Sequence, residues 1–208
     1  MTLNIGASGT IKPYAKYNSK ADKWFAKGDG GDVEVARPTF VADFPNIATG
    51  WLRFREGQAP ERVMDPSLDR AAPAQDEGFK RGFVVAVFSQ KFFGGIAELS
   101  SASIHMCNAV REVYQTYTEQ KDAHRGQLPV IVCTGSEAMK DKYGTNYKPK
   151  FEIAKWVDRP AELPDESPVD PKDVFKGEAT SSPRPQQGTP VSPPAAKPAA
   201  DPLMETEF

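Results

Sequence analysis

Two cysteines, Cys107 and Cys133, are all the thiol chemistry in 208 residues. Far apart and inside predicted apolar elements, they make neither a disulfide framework nor a metal knuckle, and a reduced intracellular protein is expected. Histidine is as scarce. His105 and His124 are the only two and have no Cys ligand nearby, so no zinc site is expected and each is read as a surface or capping residue. Long apolar runs are missing as well. No segment approaches the ~20 residues needed to span a bilayer, and Met1-Thr2-Leu3-Asn4-Ile5-Gly6 has no signal-peptide core. A soluble cytoplasmic protein that makes no membrane contact is expected.

Motifs of catalysis are also lacking. No Gly-rich stretch ends in Gly-Lys-Ser/Thr, and the turn Gly28-Asp29-Gly30-Gly31-Asp32 has too few acids at the wrong spacing for a calcium loop. In Glu152-Ile153-Ala154-Lys155, two residues separate acid and base where a metal-dependent nuclease has one, which puts carboxylate and ammonium on opposite faces of a strand. A binding protein is expected, with no cofactor, no metal and no enzymatic activity.

Proline and charge divide the chain. Eleven of the 19 prolines lie at or after Pro160, and beyond it no alternating or helical apolar pattern returns. Residues 1–160 hold 22 Lys and Arg against 19 Asp and Glu, whereas residues 161–208 hold 4 against 9. The expected organisation is a mildly basic folded body, 1–160, and a disordered, acidic, Pro-rich tail, 161–208. Such a body can bind a polyanion and be screened from it by its own tail.

Within the body the predicted strands are 33–41, 50–55, 83–88, 128–133 and 151–157. Alternation puts Trp51, Arg53 and Arg55 on one face of the second. The third, Phe83-Val84-Val85-Ala86-Val87-Phe88, is apolar throughout, as a central strand covered on both faces would be. One long helix is predicted over 101–120, where Ile104, Cys107, Val110 or Arg111, Tyr114 and Tyr117 recur at helical spacing behind an N-cap at Ser100 or Ser101. Three strands, a helix and two strands, with strand-like pieces at 11–17 and 23–26, is the order of a five-stranded Greek-key barrel of the oligonucleotide- and oligosaccharide-binding type (OB-fold). An unrelated α+β sandwich has the same order.

Several clusters suit nucleic acid. Lys140-Asp141-Lys142-Tyr143-Gly144-Thr145-Asn146-Tyr147-Lys148-Pro149-Lys150 is expected as the loop before the last strand, combining phosphate neutralisation with rings on which bases stack. A solvated turn whose tyrosines pack on the sheet is the plainer alternative. Trp51, Arg53 and Arg55 form a second candidate, although tryptophan is more often core. Lys12, Tyr14, Lys16, Tyr17, Lys20, Lys23, Trp24, Phe25 and Lys27 form a third, which also describes an ordinary exposed edge strand. Phe92-Phe93-Gly94-Gly95 suits core closure, a stacking platform or a contact between copies in a homo-oligomer.

Beyond the Pro-rich stretch come Asp201, Pro202, Leu203, Met204, Glu205, Thr206, Glu207 and Phe208. Apolar residues in a segment not expected to fold imply docking onto something else. With the barrel order, the Lys/Tyr loop and the Pro-rich tether, this peptide resembles the single-stranded-DNA-binding proteins of bacteria and, more closely, of tailed phages. The resemblance implies a barrel that holds single-stranded DNA and a phage protein working in the bacterial host cytoplasm. It also implies a terminal peptide that recruits a replication or recombination protein (polymerase, helicase or nuclease), with Phe208 as anchor and Glu207, Glu205 and Asp201 as its acidic flank. Denser acidic runs are common in that family. A β-rich structural or adaptor protein and, further off, a metal-dependent nuclease are the alternatives.

Overall fold

The computed structural model describes residues 13–177 except Asp29, Glu56 and Tyr143. The strands are β1 (Tyr14–Asn18), β2 (Lys23–Gly28), β3 (Gly31–Val35), β4 (Thr39–Ala42), β5 (Ala48–Arg53) and β6 (Glu61–Met64). Next come β7 (Lys80–Ser89), the single turn α1 (Gln90–Phe93), β8 (Gly95–Ser101), the helix α2 (Ile104–Gln120), β9 (Gln127–Asp141) and β10 (Gly144–Asp158). Hydrogen-bonded neighbours run β10-β9-β4-β7-β8-β1-β2-β3, while β5 pairs with both β7 and β6. All pairs are antiparallel except β1 with β8. The protein is therefore β-rich, with one mixed sheet and one long helix.

Everything is arranged about β7. One edge pairs with β8 from Phe83 to Ser89; the other takes β5 along Lys80 to Val84 and β4 at Val87 and Phe88. Thus β4 and β5 are two halves of one line, interrupted by a 3-10 turn at Phe44–Asn46 that carries Pro45. Gly82 is required where these strands crowd together. A Cβ there would stand 2.3 Å from Ser101 O and 2.7 Å from Leu52 Cδ1.

As its continuous apolar run predicts, β7 has no solvent face. Phe83, Val85 and Val87 point into the main core with Trp24, Phe40 and Ile131, and Met106, Val110, Val113 and Tyr117 of α2 close it. On the reverse face Val84 packs with Leu52, Met64 and Val169, and Ala86 with Leu128 and Leu163. Leu163 and Val169 belong to the stretch expected to be disordered. The body does not end at 160: residues 161–177 form a strap over the second face of the sheet. Arg159 starts it, with Nη2 2.6 Å from Oδ1 and Nη1 3.0 Å from Oδ2 of the fully buried Asp43. At its far end Met64 N donates to Asp173 O at 2.8 Å and Phe175 N to Met64 O at 2.9 Å. Two buried apolar residues and one ion pair order this strap, and a composition dominated by Pro and acids hides them.

Other expectations need correction. The described residues form ten strands where five were expected. The predicted strand 33–41 is broken between β3 and β4 at the buried Pro38, which has no N–H to give to a ladder. The expected loop 140–150 is strand for most of its length. With 15 residues each, β9 and β10 run on past the core as a two-stranded ribbon, and only Lys142 and Tyr143 lie between them. Glycine closes that turn, since Gly144 sits at φ +123. The helix starts at Ile104, behind Ser103, and its buried stripe is Met106, Ala109, Val110, Val113 and Tyr117. Ile104 is 67% exposed. Among the described residues, no helix is long and apolar enough to cross a membrane.

If the strap is part of the fold, substitutions in it destabilise the whole body. Leu163→Ala should cost about 2–4 kcal/mol in urea unfolding. Arg159→Ala, which strands the Asp43 carboxylate, should cost about 3 kcal/mol. Wild-type midpoints for both would show the strap to be dispensable.

Candidate nucleic-acid interface

The ribbon brings most of the predicted loop residues together but splits them between two faces. By register Thr145 opposes Lys140 and Tyr147 opposes Ala138, so Lys140 and Tyr147 share one face. Lys148 opposes Glu137 and Lys150 opposes Gly135 on the other. Lys140, Lys142 and Lys150 are exposed, and Tyr147 is half-buried. Lys148 is already engaged. Only 17% of its side chain is exposed, and its ammonium stands 3.0 Å from Glu112 Oε1 on α2 and 3.8 Å from Glu137 Oε2. The hydrogen bond to Glu112 raises its pKa above the usual lysine value. It fastens the ribbon to the helix. Tyr143 lies outside the described residues.

The base of the ribbon rests on the β1–β2 turn. Tyr147 N donates to Ser19 O at 2.7 Å, and Ser136 Oγ donates to Asp22 Oδ2 at 2.6 Å. In that turn Asn18 Oδ1 accepts from the backbone of Lys20 and Ala21, at 3.0 and 3.2 Å, and the Lys20 side chain is exposed beside the ribbon. Beyond it the outer face of the hairpin carries Tyr14, Lys16, Phe25, Lys23 and Lys27 in register. Acids on β3 offset these cations, since Lys16 and Tyr14 bond Asp32 and Lys23 bonds Glu34 at 2.6 Å. Trp24 and Tyr17 face inward, and their rings are 5.2 Å apart.

The Trp51 cluster lies on β5, separated from β10 in the pairing order by β9, β4 and β7. Trp51 is half-buried, and its Nε1 donates to Ala72 O at 3.2 Å. Arg53 stacks 4.3 Å over the ring of Phe79 and forms a two-pronged pair with Glu61. Arg55 falls beyond the end of β5 and reaches the same Glu61 at 3.4 Å. One carboxylate thus serves both arginines and lowers their availability to phosphate.

Sequence reasoning gave no role to Arg81, which organises this region. Its guanidinium is 5.4 Å from the Trp51 ring and forms two bonds, 2.7 and 2.5 Å, to the buried Asp65. Thr49 Oγ1 and the backbone N–H of Ala72 also donate to that carboxylate, at 2.5 and 2.8 Å. Burial pushes the Asp65 carboxyl up, but the bonds from Arg81, Thr49 and Ala72 outweigh it and hold the group below its ordinary 3.8. No short-range signal could reveal this, because Asp65 and Arg81 are 16 positions apart with a loop between them.

No family model, curated protein or solved structure matches this chain. The remaining sequence candidates are placed by geometry alone. Trp156 stacks on His124 at 4.4 Å and 7° and on Tyr117 at 5.7 Å, so it closes the end of α2. Phe93 is core against Phe40 at 5.9 Å, with Gly94 and Gly95 at positive φ releasing the chain into β8. Asp201, Glu205, Glu207 and Phe208 lie outside the described residues. Among the described residues, no cluster of three His, Cys, Asp or Glu side chains could hold a metal ion.

A carboxyl with a depressed folded pKa stabilises above the unfolded value and loses that contribution as pH falls through the folded value. Stability should therefore drop as pH falls from about 4 to the lower folded pKa of Asp65, and Asp65→Asn should remove that part of the slope. Urea midpoints against pH provide the measurement. An unchanged slope in the variant would mean that Asp65 does not supply it.

Proposed function

We propose that the protein is a non-catalytic, sequence-tolerant binder of single-stranded DNA. The observation that carries it is the ribbon, where Lys140, Lys142 and Lys150 are exposed around Tyr147 and beside Lys20. Exposed cations neutralise phosphates, and a partly exposed ring offers a face to any base, so affinity needs no base-edge readout.

The strand pairing supports the barrel that this function uses. With β4 and β5 taken as one first strand, β7 and β8 are the second and third, α2 follows, and β9 and β10 are the fourth and fifth. The first strand pairs with the second and fourth, the second with the third, and the fourth with the fifth, as in an OB-fold. The departure is at β8, whose free edge takes β1 in parallel. In barrels of this type the loop between the last two strands borders the ligand groove, and here that loop is the ribbon tip.

Phosphate neutralisation falls to Lys140, Lys142 and Lys150, base stacking to Tyr147 and Tyr143, with Arg53, Arg55 and Trp51 as a second patch and Lys148 as a structural tie. In this scheme Phe208, with Glu207, Glu205 and Asp201, recruits a replication or recombination protein. One observation favours the adaptor reading instead: Lys148, Arg53 and Arg55 already face carboxylates.

Titration of an unstructured oligonucleotide tests the proposal. Log affinity should fall with log salt at about −0.7 per phosphate neutralised, or about −2 for three contacts. Replacing Lys140, Lys142 and Lys150 with Ala should flatten that slope, and Tyr147→Ala should cost about 1–3 kcal/mol of binding. Equal affinity for duplex, or an unaltered slope in the triple variant, would sink the DNA reading.

A further inference from the structure

The sequence writes more apolar surface onto α2 than the core uses. Met106, Val110, Val113 and Tyr117 are buried, yet Ile104, Cys107 and Tyr114, which also recur at helical spacing, are left at the rim. Cys107 and Tyr114 line an open groove of about 300 Å³ between α2 and β5–β7, with Ile47 and the 48% exposed Leu68 opposite. Ile104 stands one turn before Cys107. A helix stripe of this kind wants a cover.

Two arginines fix the polarity of that cover. Arg81 lines the groove with 42% of its side chain still exposed, and Arg111 lines it with only the neutral Asn108 Oδ1, at 2.7 Å, as hydrogen-bond partner. An occupant with apolar side chains and carboxylates beside them fits. The chain itself carries one. Residues 201–208 hold Leu203, Met204 and Phe208 among Asp201, Glu205 and Glu207.

The exit from the body makes the groove reachable. Asp173 and Phe175 are bonded to the backbone of Met64, and Met64 precedes Asp65, the carboxylate that holds Arg81. The residues 178–200 that intervene span roughly 27 Å as a random coil and far more if extended.

We propose that the groove between α2 and β5–β7 is the seat of this chain's own 201–208 peptide, with Leu203, Met204 and Phe208 on the Cys107–Tyr114–Leu68 surface and the acids facing Arg81 and Arg111. The peptide then has a resting place in its own molecule, from which any outside partner must draw it. This does not rest on DNA binding, since none of the ribbon cations takes part. Nor does it alter the fold, because the peptide covers a surface that is already built.

Cys107 reports occupancy. In the full chain, iodoacetamide labelling of Cys107, followed by peptide mass spectrometry, should be about tenfold slower than in a variant with Leu203, Met204 and Phe208 replaced by Ser, as a ten-to-one occupied balance gives. Arg111→Glu should release the site to a similar degree, and salt should speed labelling of the wild type alone. Cys133, only 5% exposed, is the internal control for an intact fold and should label equally slowly in all three proteins. Equal Cys107 rates in wild type and the tail variant would overturn the seat. Protection that grows with protein concentration would assign the groove to a second copy's peptide, and protection that arises only on adding single-stranded DNA would assign it to nucleic acid; either result overturns the proposal.

Discussion

A ten-residue strand with apolar side chains on both faces cannot be satisfied by a single layer, and β7 imposes that condition on everything around it. Its first face takes α2 and the aromatic cluster of Trp24, Phe40 and Phe151, whose rings meet at 6.0 to 6.3 Å. Its second face takes Leu52, Leu128 and then Leu163 and Val169 from the strap. Without the strap, Val84 and Ala86 would meet water beneath an incomplete layer. The long excursion from β5 through β6 to β7 and the crossing at Gly82 follow from fitting neighbours to both edges of the same strand.

Carboxylate–guanidinium pairs hold the irregular parts in place on this frame. Asp43 holds Arg159 and the start of the strap, Asp65 holds Arg81 and the loop that reaches Ala72, and Glu98 on β8 holds Arg62 on β6. The buried carboxylates accept further bonds from backbone or hydroxyl groups, which is what makes burying the charge tolerable. Each pair joins segments remote in sequence. Each also withdraws a cation from any external partner, so the number of basic residues overstates the charge on offer.

That distinction shapes the proposed function. Lys148, Arg53 and Arg55 look equivalent to Lys140 and Lys150 in a list of basic residues, yet the first three face Glu112 or Glu61 and the last two are exposed. A ribbon projecting past the core presents its remaining cations on both faces, a geometry suited to a flexible polyanion that can wrap. The uncovered stripe on α2 is of a different character, apolar with arginines at its edge, and suits a peptide better than a phosphate backbone.

Much of the frame was legible in the sequence. The unbroken run 83–88 identified the doubly covered strand, alternation located β5 and the inner halves of β9 and β10, and helical spacing located α2. These are local signals, carried by the period of apolar residues. The outer halves of β9 and β10 gave no such signal, because past the core they have no buried face to alternate against. Helical spacing also offered two stripes on α2, and only packing against β7 selected Met106, Val110 and Val113 over Ile104 and Cys107. The strap was invisible for a related reason: two apolar residues among prolines and acids gain their burial entirely from a surface made elsewhere. By itself, then, the sequence determined where backbone order is locally favoured and how charge divides along the chain. Which faces are covered and which cations stay free was decided by tertiary structure, because the partners concerned, Asp43 with Arg159 and Glu112 with Lys148, lie 116 and 36 residues apart.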